Sequence, residues 1–354
     1  MRLGMMLRPL GIGLVLLGAV QNPTESVAQI LIAHRGASGE RPEHTLAAYE
    51  RAIDAGADFI EPDLVPTKDG VLVARHENEI SGTTDVADHP EFASRRKTVT
   101  IDGETLTGWF TEDFTLAELR TLRARERLPQ VRPANTRFDG LSQVPTFAEV
   151  LTLVRAKEAE TGRRIGIYPE LKHPAWFAAQ GFDTAAMLLP MLDKAGYRTA
   201  QDPVFIQSFE AGPLERLRPL TKVRLVQLMA SAGGPPDRAG ATFADMASNA
   251  GLKKLARSVD AIGVEASMAL GADGKPTPLI ADAHAAGLKV HVWTLRCENV
   301  FLPPALQVGS DPNAKGDCAK AWKLLAAAGV DGVFTDNPRE AHAARSGAAG
   351  AVQR

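Results

Sequence analysis

The sequence has 354 residues, of which 45% are hydrophobic and 23% are charged, and its formal net charge at pH 7 is −2. These values are typical of a globular chain that forms one large domain or two small ones. They give no support to nucleic-acid binding, which calls for a surplus of basic residues. Any attraction for an anionic ligand must therefore come from a local cluster of charges.

Residues 1–28 have the layout of a secretory signal peptide. Arg2 and Arg8 precede an apolar run at 10–20, and small residues at 26–28 suit a cleavage site. The apolar run is too short to span a bilayer, although an uncleaved membrane anchor is the alternative. No cysteine follows the run at a position that suggests a lipid anchor. We therefore expect a periplasmic or secreted mature protein without a stable membrane anchor.

After residue 28, short apolar segments alternate with helical patterns. Most intervening stretches repeat apolar positions at three and four and end in glycine, a common helix stop. This βαβα order predicts parallel strands covered by helices, and a count of eight favours a closed (β/α)8 TIM barrel over an open sheet. The predicted strands are 29–34, 58–64, 163–171, 203–209, 222–228, 259–265, 288–295 and 330–336.

One further segment, 71–76, breaks this alternation. It follows strand 58–64 too closely for a parallel crossover, so it must turn back as a hairpin, with Asp69-Gly70 as the turn. The hairpin returns His76 to the level of the strand end at 61–63.

The part from about 82 to 145 is polar and threonine-rich, and we expect a small inserted subdomain that covers the barrel mouth. Within it, 113–125 has the pattern of one helix, with Thr115 and Glu118 as a capping box. The barrel domain then spans 29–341. Residues 342–354 are small and polar, so we expect a disordered tail.

Charged side chains occur in pairs two residues apart at two predicted strand ends. Glu61 and Asp63 share one strand face, and so do Glu170 and Lys172. Barrel enzymes build their sites at the carboxyl ends of strands. Three carboxylates aimed at one point would repel each other unless they were protonated or bound to a cation, and oxygen donors favour Ca²⁺ or Mg²⁺ over zinc. Surface salt bridging is the alternative for any one of them.

His34 and His76 are the candidate proton carriers. Imidazole titrates near neutrality, and cleavage of a phosphoester needs one group that takes a proton and another that protonates the leaving oxygen. A structural role is the alternative for a lone histidine at a strand end. Arg35 offers a planar fork for phosphate oxygens, and Lys172 offers a point charge.

The only two cysteines, Cys297 and Cys318, lie in the part that would be exported. An oxidising compartment permits a disulfide between them, which would contribute roughly 3 kcal/mol in the chain-entropy description. Two free buried thiols are the alternative.

An ordered set of motifs resembles the glycerophosphodiester phosphodiesterase family, in particular its periplasmic bacterial branch. Any single motif is weak, but the ordered set covers nearly the whole mature chain. The motifs are HRG at 34–36, PEHT at 42–45, EPDLVPTKDGVLVARHE at 61–77, TDVAD at 84–88, IGIYPELK at 165–172 and FTDNP at 334–338.

The resemblance implies a TIM barrel that hydrolyses glycerophosphodiesters, as small-molecule substrates, to an alcohol and sn-glycerol 3-phosphate with a divalent cation, most often Ca²⁺. Attack through the substrate's own hydroxyl and direct attack by water both stay open. By motif, the implied metal ligands are Glu61, Asp63 and Glu170, and the implied acid and base are His34 and His76. The implied substrate contacts are Arg35, Lys172, Glu43, Gln207 and Trp293.

One residue departs from the family pattern, because Glu77 stands where an aspartate usually follows the second histidine. Two rival functions also stay open. A related phospholipase D-like barrel would cleave lysophospholipid or sphingolipid headgroups, although the polar insertion argues against an apolar entrance. A periplasmic binding protein would capture a phosphorylated metabolite without turnover, although such proteins usually form two open-sheet lobes.

Overall fold

The computed structural model describes residues 29–347. The signal peptide predicted for 1–28 and the last part of the predicted tail, 348–354, lie outside the described residues. Strands run as β1 (Ile30–His34), β2 (Phe59–Glu61), β3 (Asp63–Pro66), β4 (Leu72–Ala74), β5 (Lys97–Ile101), β6 (Glu104–Gly108), β7 (Gly166–Ile167), β8 (Glu170–Leu171), β9 (Phe205–Ser208), β10 (Arg224–Met229), β11 (Ala261–Glu265), β12 (Lys289–Leu295) and β13 (Gly332–Thr335).

Helices connect the strands and cover the outside of the sheet. They run as α1 (Leu46–Asp54), α2 (Leu116–Leu119), α3 (Phe147–Thr161), α4 (Pro174–Ala179), α5 (Thr184–Lys194), α6 (Ala211–Leu217), α7 (Phe243–Met246), α8 (Asn249–Leu255), α9 (Ala266–Ala269), α10 (Pro278–Ala285), α11 (Cys318–Ala327) and α12 (Pro338–Arg345). Buried apolar side chains between the strands and these helices form the largest core cluster.

Parallel pairing closes the sheet into a ring. β1 pairs with β2 on one side and with β13 on the other, and β8 to β13 pair in sequence. The second and third barrel strands are each split in two, as β2 with β3 and as β7 with β8, and their halves pair with each other. Pro62 and Pro169 stand at the two breaks, where a missing N–H costs no ladder bond. The predicted TIM barrel is confirmed.

The predicted hairpin is also present. β3 and β4 are antiparallel, with Leu64 opposite Ala74 and Pro66 opposite Leu72. Gly70 has a φ of +75°, which glycine adopts without strain, and its N–H donates to the carbonyl of Thr67. The hairpin returns the chain to the barrel rim just before His76.

The segment between β4 and α3 forms a subdomain with its own apolar core. Phe92, Trp109 and Phe114 belong to this second cluster, which also takes in Val73 and Phe177 from the barrel. Its other regular elements are the β5–β6 hairpin and 3₁₀ helices at Val86–Asp88, Pro90–Arg95, Thr111–Asp113 and Pro133–Phe138. The inserted subdomain is therefore packed on the barrel by apolar contacts.

The long helix predicted for 113–125 is wrong, since only Leu116–Leu119 is helical. Thr115 and Glu118 do form the capping box. After α2, the N–H of Arg123 donates to the Asp85 carboxylate at 2.7 Å. This bond ties the chain to another part of the subdomain, so the helix does not continue.

The C-terminal boundary also differs from the prediction. α12 continues to Arg345, whose guanidinium donates to the Asp58 carboxylate and, at 3.0 Å, to the carbonyl of Gln29. The predicted tail from 342 therefore begins too early, because these bonds hold the last helical turn to the bottom of the barrel.

Cys297 and Cys318 form a disulfide with Cα atoms 5.1 Å apart. The bond joins the loop after β12 to the first residue of α11. Over residues 29–347, no helix combines the length and apolar character that a membrane crossing requires.

The inside of the barrel holds a small aromatic core around a buried histidine. Tyr168 donates from its hydroxyl to Nδ1 of His291 at 2.6 Å, and Phe205 packs edge-on to the imidazole. His291 is 1% exposed, and burial lowers its pKa to about 3.

We expect His291 to make the fold sensitive to acid. The unfolded chain binds a proton near the ordinary histidine pKa of about 6.5, whereas folded His291 stays neutral to about pH 3. Stability should therefore fall as the pH drops below 6.5, by about 2 kcal/mol between pH 7 and pH 5 from this residue. Urea unfolding of His291→Gln should show a correspondingly smaller loss than the parent protein. His89→Gln, on the partly exposed surface of the insertion, is the control, and equal acid sensitivity in all three proteins would contradict this account.

Candidate active site

Three buried carboxylates meet at the carboxyl ends of two neighbouring barrel strands. Glu61 ends β2, Asp63 begins β3, and Glu170 begins β8 directly opposite Asp63 in the strand register. One oxygen from each residue lies within 4.8 Å of the others, and all three side chains are buried. The breaks at the two prolines bring this about, because they let consecutive carboxylates face the same point.

This arrangement is electrostatically unfavourable without a cation. Burial, with Asp63 and Glu170 close by, raises the pKa of Glu61 well above its ordinary value. Burial also raises the pKa of Glu170 to about 8, although the Lys172 ammonium opposes the shift. Against the effect of burial, the bond from His44 holds the pKa of Asp63 well below its ordinary value. Only part of this triad is therefore anionic near neutral pH by itself.

The triad fits a divalent cation. Oδ1 of Asp63 is buried and has no hydrogen-bond partner among residues 29–347. Its other oxygen accepts from Nε2 of His44 at 2.9 Å, and His44 in turn accepts from the Tyr49 hydroxyl at 2.7 Å. Asp63 thus has a fixed orientation and one free lone-pair site. Carboxylate oxygens alone suit Ca²⁺ or Mg²⁺.

His34 lies at the end of β1, opposite Glu61 in the strand register. Its Nδ1–H donates to Oδ1 of Asp336 at 2.6 Å. Asp336 follows β13, the strand that pairs with β1 on the other side. This bond fixes the imidazole ring and leaves Nε2 for proton exchange.

His76 has a parallel arrangement. Its Nδ1–H donates to the Glu77 carboxylate, and the Lys172 ammonium donates to its Nε2 at 3.3 Å. Lys172 also contacts Glu170 at 3.0 Å. Glu77, the residue that departs from the family pattern, thus reaches the imidazole through its longer side chain.

Both imidazoles are neutral at neutral pH. Burial and the Arg35 charge lower the pKa of His34 to about 4, against the opposing effect of Asp336. Burial, Arg35 and Lys172 lower the pKa of His76 to about 3. A neutral imidazole that donates from Nδ1 presents a lone pair on Nε2, so either ring is able to accept a proton.

Arg35 has a strained backbone that aims its groups inward. Its φ is +58°, its N–H donates to Glu61 at 2.8 Å, and its Nη1 donates to Glu43 at 3.0 Å. The following Gly36 also has a positive φ, and a Cβ there would lie 2.7 Å from the backbone of Ala48. The HRG motif therefore requires its glycine for the turn that brings Arg35 to the three carboxylates.

Glu43 lies behind Arg35. Its carboxylate accepts from Arg35 and, at 2.8 and 2.7 Å, from Arg127 of the insertion. It is not among the described residues that line the cavity. These bonds orient Arg35, and the substrate contact expected from the resemblance stays a prediction.

A cavity of about 360 Å³ connects these groups. Gln207 enters it from β9 and donates to Glu61 at 3.1 Å, and Trp293 enters from β12 and packs edge-on to Phe209. The predicted residues that line the cavity together are His34, Arg35, Glu61, His76, Glu170, Lys172, Gln207 and Trp293. Asp63 lies immediately beside them in the triad.

Several residues of the site were not singled out from the sequence. Asp336 was detectable, since it lies in the FTDNP motif at a strand end like the other site residues. Arg296 lines the cavity and donates to Asp336 at 3.0 Å. Arg127 and Arg132 come from irregular parts of the insertion, where no periodicity indicates which side chains point to the barrel.

Comparison with known proteins agrees with this geometry. The model of the glycerophosphoryl diester phosphodiesterase family matches residues 34–340. The chain belongs to that family. It is 36% identical over 334 residues to a glycerophosphodiester phosphodiesterase of Arabidopsis thaliana, covering 90% of this chain and 86% of the relative. It is 31% identical over 339 residues to the enzyme of Haemophilus influenzae, covering 88% of each chain.

Solved structures show the same fold. One from Silicibacter pomeroyi, described as a glycerophosphoryl diester phosphodiesterase, superposes with a TM-score of 0.64 at 21% identity, covering 92% of this chain and 95% of that one. A phosphodiesterase from Oleispira antarctica, solved in complex with the product sn-glycerol-3-phosphate, gives 0.58 at 20% identity, covering 90% and 96%. As a family member, the chain is an enzyme that hydrolyses glycerophosphodiesters.

The repulsion within the triad gives a prediction for stability. In a chelator, Glu61→Gln should raise the free energy of unfolding by about 1 kcal/mol or more, because the buried Glu61 carboxyl must either repel Asp63 and Glu170 or bind a proton, and glutamine does neither. Added Ca²⁺ should then stabilise the parent protein, by about 2.7 kcal/mol at a hundredfold excess over the dissociation constant, and the variant much less. Thermal unfolding with and without Ca²⁺ measures both effects.

Glu112→Gln is the matched control, since Glu112 is a buried glutamate of the insertion that bonds Asn78 outside the triad. Its response to Ca²⁺ should equal that of the parent. If Glu61→Gln and the parent gained equal stability from Ca²⁺, the triad would not be the cation site.

Proposed function

We propose that this enzyme hydrolyses glycerophosphodiesters to an alcohol and sn-glycerol 3-phosphate, with His34 and His76 as general acid and base and a divalent cation at the triad. The observation that carries the proposal is the pairing of the histidines. Each imidazole donates from Nδ1 to a carboxylate, and both rings line one cavity beside the triad. The bound product of the Oleispira antarctica relative supports this choice of product.

The proton transfers use the two Nε2 atoms, since Nδ1 of each ring is bonded to a carboxylate. One imidazole takes the proton of the attacking hydroxyl as the new P–O bond forms. The other takes up a proton on Nε2 when the anionic phosphate binds beside it, and it gives that proton to the oxygen of the alcohol as the old P–O bond breaks. Both rings then exchange protons with solvent and return to the neutral state. Lys172 keeps Nε2 of His76 in place between turnovers, since it bonds that nitrogen and Glu170 together.

Arg35 and Lys172 are the proposed phosphate contacts. Nε of Arg35 is buried and makes no hydrogen bond within the described part of the chain, since the Asp63 carboxylate lies 3.6 Å from it, and Nη1 is fixed by Glu43. A nonbridging phosphate oxygen would supply the acceptor, and a charge-assisted bond of this kind also positions the phosphorus. Gln207 and Trp293 are the proposed wall for the glycerol part, since they face the same cavity.

Glu61, Asp63 and Glu170 are the proposed ligands of the cation, with Ca²⁺ as the proposed ion. Hard oxygen donors and the absence of cysteine or histidine from the triad favour it over zinc. When bound, the cation neutralises charge on the phosphoryl oxygens. The same charge removes the repulsion among the three carboxylates.

Replacement of either histidine should abolish turnover without unfolding the protein. His34→Ala and His76→Ala should each lower kcat for glycerophosphocholine by about 10² or more, since a positioned acid or base contributes that factor. Release of sn-glycerol 3-phosphate, measured by a coupled dehydrogenase assay, gives the rates. His89→Ala is the control and should keep the parent rate. Full activity of His34→Ala on any diester would rule out the acid–base assignment.

Activity should also depend on the cation. Dialysis against a chelator should abolish release of sn-glycerol 3-phosphate, and Ca²⁺ should restore it. Lysophosphatidylcholine in the same assay separates the rival lipid-headgroup activity, for which we expect little turnover. Undiminished hydrolysis after complete removal of divalent cations would contradict the proposed role of the triad.

We also propose that the enzyme is exported to the periplasm after cleavage of residues 1–28, as in the periplasmic bacterial branch of the family. The disulfide between Cys297 and Cys318 supports an oxidising compartment. Mass spectrometry of protein from a periplasmic extract should show an N-terminus near Gln29. Recovery of only the uncleaved chain, from membranes, would favour the anchor instead.

A further inference from the structure

Behind each proposed catalytic histidine lies a carboxylate, and an arginine of the insertion bonds each carboxylate. Arg296, in the loop after β12, also donates to Asp336 at 3.0 Å. Behind His76, the Glu77 carboxylate accepts two bonds from Arg127, at 3.0 Å from Nη1 and 2.6 Å from Nη2. Behind His34, Asp336 accepts from Nη2 of Arg132 at 2.6 Å. The order of groups is thus the same on both sides of the cavity: imidazole, carboxylate, guanidinium.

The two arginines lie five residues apart on one fixed turn. The carbonyl of Leu128 accepts the N–H of Val131 at 2.9 Å and that of Arg132 at 2.7 Å. The Glu126 side chain accepts from Leu128 N–H and from Asn135, both at 2.9 Å. We call residues 126–135 the arginine turn. Because these bonds are internal, the turn presents both guanidiniums as one unit.

The arginine turn is also bound to the barrel loop that follows His34. Arg132 donates to the carbonyl of Ser38 at 3.0 Å, and Asn135 donates to the same carbonyl at 3.3 Å. The Ser38 hydroxyl donates to the carbonyl of His34 at 2.9 Å. The turn therefore has a defined position relative to the strand end that carries His34.

Each of the two arginines also bonds a second carboxylate, which fixes the orientation of its guanidinium. Arg127 donates to Glu43, which also accepts from Arg35, and Arg132 donates to Glu298 at 2.6 Å. Arg127 holds Glu77 by two parallel bonds, and Arg132 and Arg296 each donate one bond to Oδ2 of Asp336, so each carboxylate has both its plane and its charge fixed. A carboxylate that must orient an imidazole needs both, since a free carboxylate can rotate or bond water instead.

We propose that Arg127 and Arg132 are positioning residues that hold Glu77 and Asp336 in the orientation required by His76 and His34. The insertion is thereby part of the catalytic machinery, because one turn sets the geometry of both proton carriers. This inference rests on the proposed function of the two histidines.

The first experiment is steady-state kinetics on glycerophosphocholine with Ca²⁺. Arg127→Met and Arg132→Met should each lower kcat by about 10- to 100-fold, the usual effect of losing a partner that orients a site group. KM should change by less than about threefold. Arg127→Lys should recover part of the loss, since lysine restores the charge without the fork.

Arg95→Met is the matched control. Arg95 is another arginine of the insertion with a bidentate carboxylate partner, Glu118, but it contacts no residue of the cavity. It should keep the parent kcat. Melting temperatures of all variants report whether a loss of kcat reflects a loss of folded protein.

A double-mutant cycle tests whether each arginine acts through its carboxylate. In a Glu77→Gln background, Arg127→Met should lower kcat by less than about threefold, because the carboxylate that Arg127 orients is already gone. The same holds for Arg132→Met in an Asp336→Asn background. Arg132 is buried, so Arg132→Met is the variant most sensitive to misfolding. If it does not fold, kcat of Arg132→Lys and the double-mutant cycle of Arg127 with Glu77 test the inference.

The outcomes separate this inference from the proposed function. Three results would overturn the inference while His34→Ala stays inactive. They are a parent-like kcat in Arg127→Met, an equal fall in kcat for Arg127→Met in the presence and absence of Glu77, and an equal fall in kcat for Arg95→Met. Failure of the parent protein to release sn-glycerol 3-phosphate, or full activity of His34→Ala, would instead overturn the proposed function.

Discussion

Mutual repulsion among three buried carboxylates is the constraint on which the rest of the site depends. Glu61, Asp63 and Glu170 have oxygens within 4.8 Å of one another at the barrel rim, and burial makes their charges costly. Neighbouring side chains compensate this excess of negative charge. His44 bonds one oxygen of Asp63, and the backbone and guanidinium of Arg35 face Glu61 and Asp63. In the proposed function, a divalent cation would complete the compensation, and the anionic phosphate of a substrate would then meet a site that is no longer negative.

Behind the neutral imidazoles, anionic and cationic side chains alternate outward from the cavity. Imidazoles border the cavity, carboxylates lie behind them, and arginines lie behind the carboxylates. Alternation lets each buried charge find an opposite partner, which is the condition for keeping charges out of water. The outermost layer belongs to the insertion, so the site is complete only when that subdomain packs on the barrel through its separate apolar core.

The barrel and most of its site were predictable because they follow from strand patterns. Glu61 and Asp63 share a strand face by spacing alone, and parallel register brings Glu170 opposite Asp63 without further information. The two arginines that bond the carboxylates from the insertion, Arg127 and Arg132, were not predictable in this way. Arg127 lies in an irregular segment where no repeat fixes direction, and the helix predicted for 113–125 stops early because tertiary contacts override a good local pattern. The bond from Arg127 to Glu43 was not predictable for a related reason, since the two residues lie 84 positions apart and nothing in the segment of Glu43 reveals it.

The most direct test of the central claim is a calorimetric titration of Ca²⁺ into protein that has been stripped of divalent cations. The account predicts one bound ion per chain, and it predicts that Asp63→Asn abolishes or greatly weakens this binding while the circular dichroism spectrum stays unchanged. Absence of binding to the parent protein, or equally tight binding to folded Asp63→Asn, would contradict the account.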